Sequence, residues 1–516
     1  MKKVQPSEPG VRVAKGTFII LIDYIIVNVF GIIYGISIGR LLGPNGYGIV
    51  ATAMAFFNIF VYLASFGIPP SIVRFVSKYV ALKKLDTVRR FLIISFKYLL
   101  IFALALSATL IIFAGPIATN VYHDPKLTVA LRMAGLMVLP GVFLPGFLSA
   151  FQGFQRMKYH LFTESFYAIA RVPLALVFIF AGYYATGAIA GTLAGLSLAC
   201  VLGFFLLLRL LPKGEQKVIK SHDISKEIIS FSIPNWLTSI AGVVLLSYGT
   251  IWLGYVVKLQ EVGYYSSALL IASLLPGIAG ATSTALFPAI SGLWTLGDKE
   301  NFASSVRLSI KFIFTLLIPL VVGTAIFSEF ILRLIFGTNF IAGGQVLRIL
   351  SVAVLPMSMN SLNVTILAGI GRPEICAKIY LIAVILAVAV ITPLAWFYGI
   401  VGAAVGFLMA QIVIFCLTTI FVKKLTGLAH TLQVLWKPAV AACVMLVPIL
   451  LLRLVTTNLI EAIFIGVFGF LVYAFAFIKL GGVEKSDVAL LRQISSDMGE
   501  PRILDIAVRF LDAHAK

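Results

Sequence analysis

Charge is scarce in this chain, and what there is leans one way. Of 516 residues only 12% are charged, against roughly a quarter in ordinary soluble domains, and 20 acids face 40 bases. A hydrophobic share of 60% and a mean hydropathy of +1.06 exclude a soluble globular chain and point to an all-α polytopic membrane protein. Cysteine is almost missing too: Cys200, Cys376, Cys416 and Cys443 all lie in apolar runs, with no CxxC or Cys/His spacing. That excludes a disulfide framework and a zinc site. The P-loop pattern GxxxxGK[ST] is absent as well, which argues against direct drive by ATP. No cofactor and no metal site is expected. A net charge of +20 would suggest nucleic acid in a soluble chain. Here the lysines and arginines cluster in short segments between apolar runs, as determinants of membrane orientation, and no nucleic-acid partner is implied.

What is abundant is apolar sequence in lengths that suit a bilayer. Cutting at Gly, Pro and charge clusters leaves about fourteen stretches near the 20 residues that a span requires. The apolar run after the basic N-terminus MKKVQPSEPGVRVAKG is too long for a signal peptide and reads as a retained first helix. The strongly polar LLPKGEQKVIKSHDISKE, 210–227, opens with a Pro-Lys-Gly breaker and divides the chain. The expected organisation is a six-helix lobe over 1–209, a cytoplasmic linker at 210–227, and a second six-helix lobe over 228–424. An extra helix pair at 425–478 and a cytoplasmic tail at 479–516 follow. With the N-terminus inside, about thirty of the Lys and Arg residues fall on the inner side, so both termini are placed in the cytoplasm of a cell-membrane protein. The segment SIVRFVSKYVALKKLDTVRR, after Pro69 and Pro70, holds six bases and reads as an amphipathic extension at the headgroups.

The halves also resemble each other at an offset of about 216 residues. SAFQGFQR, ending at Arg156, aligns with TILAGIGR, ending at Arg372; GAIAG at Gly187 aligns with GAAVG at Gly402, and Gly46-Tyr47 with Gly263-Tyr264. An even number of helices separates the equivalents, so the repeats share topology and are expected to be related by an axis along the membrane normal. Two parallel lobes flanking a cleft suit alternating access.

The run GRLLGPNGYGIVATAMAFFNIFVYLASFGIPPSIVRFVSKY resembles the first helical hairpin of polysaccharide or O-antigen flippases of the multidrug/oligosaccharidyl-lipid/polysaccharide exporter superfamily, and FSIPNWLTSI resembles the start of their second lobe. The resemblance covers nearly the whole chain. It implies transfer of an oligosaccharide on a polyprenyl phosphate or pyrophosphate from the inner to the outer leaflet, among membrane lipids and alongside glycosyltransferases or a polymerase of the same pathway. The extra C-terminal pair favours this branch over the drug exporters, and in lipid-linked-precursor flippases it can form a groove for the lipid tail.

Ionisable residues inside spans are the first functional candidates because a charge at the bilayer centre is costly. Lys97 and Lys311 stand within snorkelling reach of the inner side and Arg132 and Glu329 near outer ends, while Arg156 and Arg372 read as topology determinants. Asp23, Glu164 and Arg171 lie deeper, and the positions one repeat away are uncharged. Asp23 and Glu164 are assigned to ion coupling, Asp23 as an unpaired carboxylate. Arg171, beside an expected kink at Pro173, is assigned with Arg74 to the phosphate of the substrate. Arg74 ends the second helix and matches the arginine of the flippase-like hairpin. Asn28, Asn235, Trp236 and Tyr264 are further substrate-wall candidates, in a set with Tyr24, Tyr34, Asn58, Tyr62, Tyr248, Trp252 and Tyr265, since sugars are held by hydrogen bonds and aromatic faces.

Two rival functions stand beside the flippase. An ion-coupled drug or metabolite exporter of the same fold would use Asp23 as a cation site. A polytopic glycosyltransferase or polymerase would need a carboxylate in an outer loop, yet RLLGPNGYG has none and no outer loop is long enough for a catalytic domain.

Overall fold

The computed structural model describes residues 8–211, 221–428, 434–453 and 459–484. Most of the polar linker, with Lys213, Glu215, Lys217 and Lys220, and nearly all of the tail lie outside them. Among the described residues there is no strand, and ten helical stretches are long and apolar enough to cross a membrane. The chain is a multi-pass α-helical membrane protein.

The elements are α1 (Glu8–Ser65), α2 (Ile68–Ala81), α3 (Leu85–Pro116), α4 (Lys126–Gly153), α5 (Met157–Phe178), α6 (Tyr184–Leu210), α7 (Ser221–Val256), α8 (Leu259–Leu274), α9 (Gly277–Leu296), α10 (Lys299–Ile326), α11 (Ser328–Phe336), α12 (Gly344–Gly369), α13 (Pro373–Thr426), α14 (Trp436–Arg453) and α15 (Leu459–Lys479). Three of the ten stretches are double. α1 breaks at Gly43 (φ 65°) and α13 at Gly399 (φ 55°), while a π-helical turn with Gly182 (φ 92°) separates α5 from α6. Only a residue without a Cβ takes such angles cheaply. With these breaks and the shorter Trp436–Leu452, the segments are consistent with the fourteen expected. α5 runs on through Pro173, and the nearest break is Gly182.

Large side chains such as Phe180, Phe397 and Phe464 stand exposed, as they must where the solvent is lipid. At several of the closest helix contacts, small residues let the backbones approach. A Cβ on Gly191 of α6 would lie 2.3 Å from the Ala175 backbone of α5. On Gly402 it would lie 1.8 Å from Leu394 O across the break of α13.

The chain divides into two compact units, one of 1–270 with 377–406, the other of 271–376 with 407–516. In the first, α1 and α8 meet in a reciprocal glycine contact. A Cβ on Gly48 would lie 1.8 Å from Leu259 O, and one on Gly263 would lie 1.9 Å from Pro44 O. Each contact sets a glycine of one helix against a carbonyl of the other, so the two backbones close on each other from both sides. In the second unit, α14 and α15 close on α10 through Ile326, Met445, Ile449 and Phe477, and the Tyr473 hydroxyl donates to Thr315 O at 2.9 Å.

The repeat also shows in how helices end. α4 stops at Gly153 and α12 at Gly369. In both, the backbone N–H of the following arginine returns to a helical carbonyl at 2.8 Å, Arg156 to Phe151 O and Arg372 to Leu367 O. The residue before each arginine has positive φ, 56° at Gln155 and 81° at Gly371.

Candidate functional site: a polar seam between α1 and α5

His160, Glu164, Tyr167 and Arg171 recur on α5 at the spacing that keeps residues on one helical face. Asp23 and Tyr34 stand about three turns apart on α1, so each end of one row meets one end of the other. At the Asp23 end, the carboxylate is buried and far from unpaired. His160 Nδ1 lies 3.0 Å from Asp23 Oδ2, and the Ser165 hydroxyl donates to Asp23 Oδ1 at 3.0 Å. The expectation of an unpaired carboxylate is therefore corrected: a buried charge is stable only when bonded, and α5 supplies the partners. His160 also reaches Glu164 Oε2 at 3.5 Å, and its Nε2 contacts the Gln152 amide nitrogen at 2.9 Å. With that amide donating to Nε2, Nδ1 carries the imidazole proton and donates to Asp23.

Two carboxylates around one imidazole form a site of negative bias. Asp23, His160 and Glu164 each offer a ligand atom, all within 4.8 Å of one another. Chemically the group can take up a proton or a small cation.

At the other end, the Arg171 guanidinium sits 4.9 Å from the Tyr34 ring centre and 5.3 Å from that of Tyr167. Each such contact stabilises a desolvated cation by about 1 kcal/mol. The Tyr34 hydroxyl is held by Thr192 Oγ1 at 2.7 Å and donates to Ala188 O at 3.2 Å. Glycines make the space: a Cβ on Gly31 would lie 3.2 Å from Arg171 Nη2, and one on Gly195 would lie 3.1 Å from Arg171 Cα. Arg171 Nε is buried without a hydrogen-bond partner. Cation–π contacts satisfy the charge but not that N–H, which leaves a donor for an anion.

Of the residues picked out from sequence, Asp23, Glu164 and Arg171, with Tyr34 from the aromatic set, thus share one seam. The other site candidates stand elsewhere. Asn28 is exposed and its amide donates to Tyr24 O of its own helix at 2.7 Å; Asn235 does the same to Phe231 O at 2.8 Å. The Trp236 N–H reaches Tyr62 O at 3.1 Å and its ring packs on Phe66, so its single donor is used in joining α7 to the end of α1. Tyr264 accepts from Gln260 one turn away on α8. Arg74, on α2, is exposed and lies over the rings of Phe231 and Phe75. Within the wider aromatic set, Tyr248 and Trp252 bond Thr392 and Tyr265 is buried, all of which is helix packing. Sequence reasoning missed His160 and Tyr167. The signal was the repeated spacing on α5, which sets these four polar side chains on one face of the helix.

Residues 13–294 match the family model described as polysaccharide biosynthesis protein. An uncharacterized membrane protein of Methanocaldococcus jannaschii is 24% identical over 481 residues, which is 90% of this chain and 94% of that protein. The lipid II flippase MurJ of Bacillus subtilis is 22% identical over 466 residues, covering 82% of this chain and 85% of its own length. Among solved structures, lipid II flippase MurJ in an inward closed conformation superposes with a TM-score of 0.72 at 16% identity, over 88% of this chain and 97% of that one. That likeness establishes the fold, and the family match, which spans more than half of the residues, establishes that the chain belongs to the polysaccharide biosynthesis protein family.

Proposed function

We propose that this protein is a flippase that carries a polyprenyl-(pyro)phosphate-linked oligosaccharide from the inner to the outer leaflet by alternating access. The observation that carries the reading is Arg171. A guanidinium set between two tyrosine rings inside a helix seam, with a buried and unpartnered Nε, is an arginine prepared for an anion. A phosphate leaving water needs fixed cations in place of its hydration. The flippase relatives support the lipid-linked class of substrate. Two lobes related by the repeat, with both termini and the linker cytoplasmic, form the transport frame. Arg74 assists at the inner mouth, and Asn28, Asn235, Trp236 and Tyr264 line the path. Glycosyltransferases or a polymerase of the pathway supply and consume the substrate.

The Asp23–His160–Glu164 group favours ion coupling within that function, and by itself it would equally suit an ion-coupled exporter of small molecules. Accumulation of lipid-linked oligosaccharide in a deletion strain, relieved by the wild-type gene, separates the two: an exporter would leave the intermediate at its normal level. For topology, cysteines at Lys217 and Tyr184, in a background without the four native ones, should label from opposite sides. Labelling of both from outside would overturn the cytoplasmic placement.

A further inference from the structure

α2 and α7 run antiparallel, and the character of their contact changes along its length. It starts tight. Gly67 (φ 65°) caps α2, and a Cβ there would lie 2.3 Å from Ser232 O. One turn on, the hydroxyls of Ser71 and Ser232 meet at 3.1 Å, and then Phe75 packs edge-on against Phe231 with centroids 6.0 Å apart. The last turn is charged. Lys78 Nζ donates to Glu227 Oε1 at 3.1 Å, while the buried Tyr79 hydroxyl donates to Glu227 Oε2. Burial and the neighbouring carboxylate push the Tyr79 phenol upward, so it remains a donor at physiological pH.

As a staple this arrangement is weak. The Lys78 and Glu227 side chains are 47% and 35% exposed, and an ion pair so open to solvent contributes little to stability. As an anion site it is well made. An ammonium and a phenol hold one oxygen each of a carboxylate, the donor set that two oxygens of a phosphate would use. Arg74 stands one turn away with its guanidinium 4.4 Å from the Phe231 ring centre, and exposed Lys83 and Lys84 follow. Arg74, Lys78, Lys83 and Lys84 make this end of α2 basic, and Glu227 is the anion that occupies the Lys78 and Tyr79 donors.

We infer that Lys78 and Tyr79, with Arg74, form an entry site for the diphosphate of the lipid-linked substrate, and that Glu227 fills it as an internal competing anion. The inference rests on the flippase reading and adds a regulation to it: substrate arrival displaces Glu227 and frees the charged end of α7 from α2. Ser71, Phe75 and Gly67 keep the far end joined, so the movement is a splaying about the tight end.

The test is binding to the full-length protein in nanodiscs, by calorimetry, with farnesyl diphosphate as a short polyprenyl diphosphate and inorganic pyrophosphate as the tail-less control. Displacement predicts opposite signs. Glu227→Gln should tighten farnesyl diphosphate by about tenfold, since the competitor loses its charge, and Lys78→Gln should weaken it by about tenfold. Lys78→Arg should stay within about twofold of wild type. Thermal melting of each variant reports folding. A structural pair would make both glutamine variants less stable and move their affinities in the same direction, which would overturn the entry site. So would a wild type that does not bind farnesyl diphosphate. Equal affinity for inorganic pyrophosphate would overturn the lipid-borne part. Relief of oligosaccharide accumulation by the wild-type gene is read separately, so these results can remove the entry site while the flippase function stands.

Discussion

Two polar seams among the described residues join helices with different chemistry. Between α1 and α5 the groups are Asp23, His160, Glu164 and Arg171. Between α12 and the later part of α13 they are neutral: Asn360 donates to Gln411 Oε1 at 3.1 Å, and Asn363 donates to the hydroxyls of Thr418 and Thr419 at 3.0 Å. Each neutral bond stabilises helix packing by about 0.6–2 kcal/mol. A charged residue at the bilayer centre instead costs about 3 kcal/mol to insert. Neutral amides therefore suffice to register two helices, and charge in the equivalent role marks a demand beyond packing. Cys376, Tyr380 and Ala387, one repeat away from His160, Glu164 and Arg171, show that the fold does not require the charges.

The largest effect is expected at Arg171. Arg171→Ala should lower surface glycan in a complemented deletion strain by about a hundredfold at equal membrane level of protein. Arg171→Lys should keep partial activity, because a mobile headgroup can be held through one contact. Full activity of Arg171→Ala would make the charged seam a packing device like its neutral counterpart.

Asp23→Asn keeps a hydrogen-bonding shape but removes the charge. The transport rate should fall by about tenfold and lose its dependence on the proton or sodium gradient. An unchanged gradient dependence would take ion coupling away from this seam.

Asn363→Ala should do the converse. Losing two bonds between α12 and α13 should cost about 1–2 kcal/mol, read as a lower melting temperature in detergent, with transport per folded molecule unaltered. A transport defect without a stability defect would erase the distinction between the two seams.

The smallest effect is expected from a charge in water. Asp298 caps α10 by accepting from the Asn301 backbone N–H at 3.1 Å and from its side chain at 2.7 Å. Those bonds hold its carboxyl below the ordinary value of 3.8. The cap therefore stabilises the fold above that value and is lost as the pH falls through the lowered one. Asp298→Ala should give a slight drop in melting temperature at neutral pH and none in strong acid.

The charged seam was partly legible. Asp23, Glu164 and Arg171 stand out because a charge within an apolar run needs a reason, whereas His160 and Tyr167 do not violate hydropathy and pass unnoticed. Their role depends on α1 lying against α5. Trp236 and Asn235 show the reverse case: polar atoms in spans suggest a sugar-binding wall, and the structure gives the tryptophan N–H to a neighbouring carbonyl and the asparagine amide to a local one. Local sequence cannot say which acceptor lies within reach.

By itself, the sequence determined the all-α membrane class, the approximate spans and the internal repeat. All three follow from one-dimensional rules: the bilayer sets a length, missing backbone partners in lipid demand helices, and a duplicated segment repeats its glycines and turn residues. The tertiary structure alone decided that Asp23 is bonded rather than unpaired, that Arg171 keeps an unpartnered Nε between two tyrosines, and that Glu227 occupies the donors of Lys78 and Tyr79. Each of these depends on contacts of about 3 to 5 Å made when one helix is laid against another, where the energy of a polar group is set by the partner it meets.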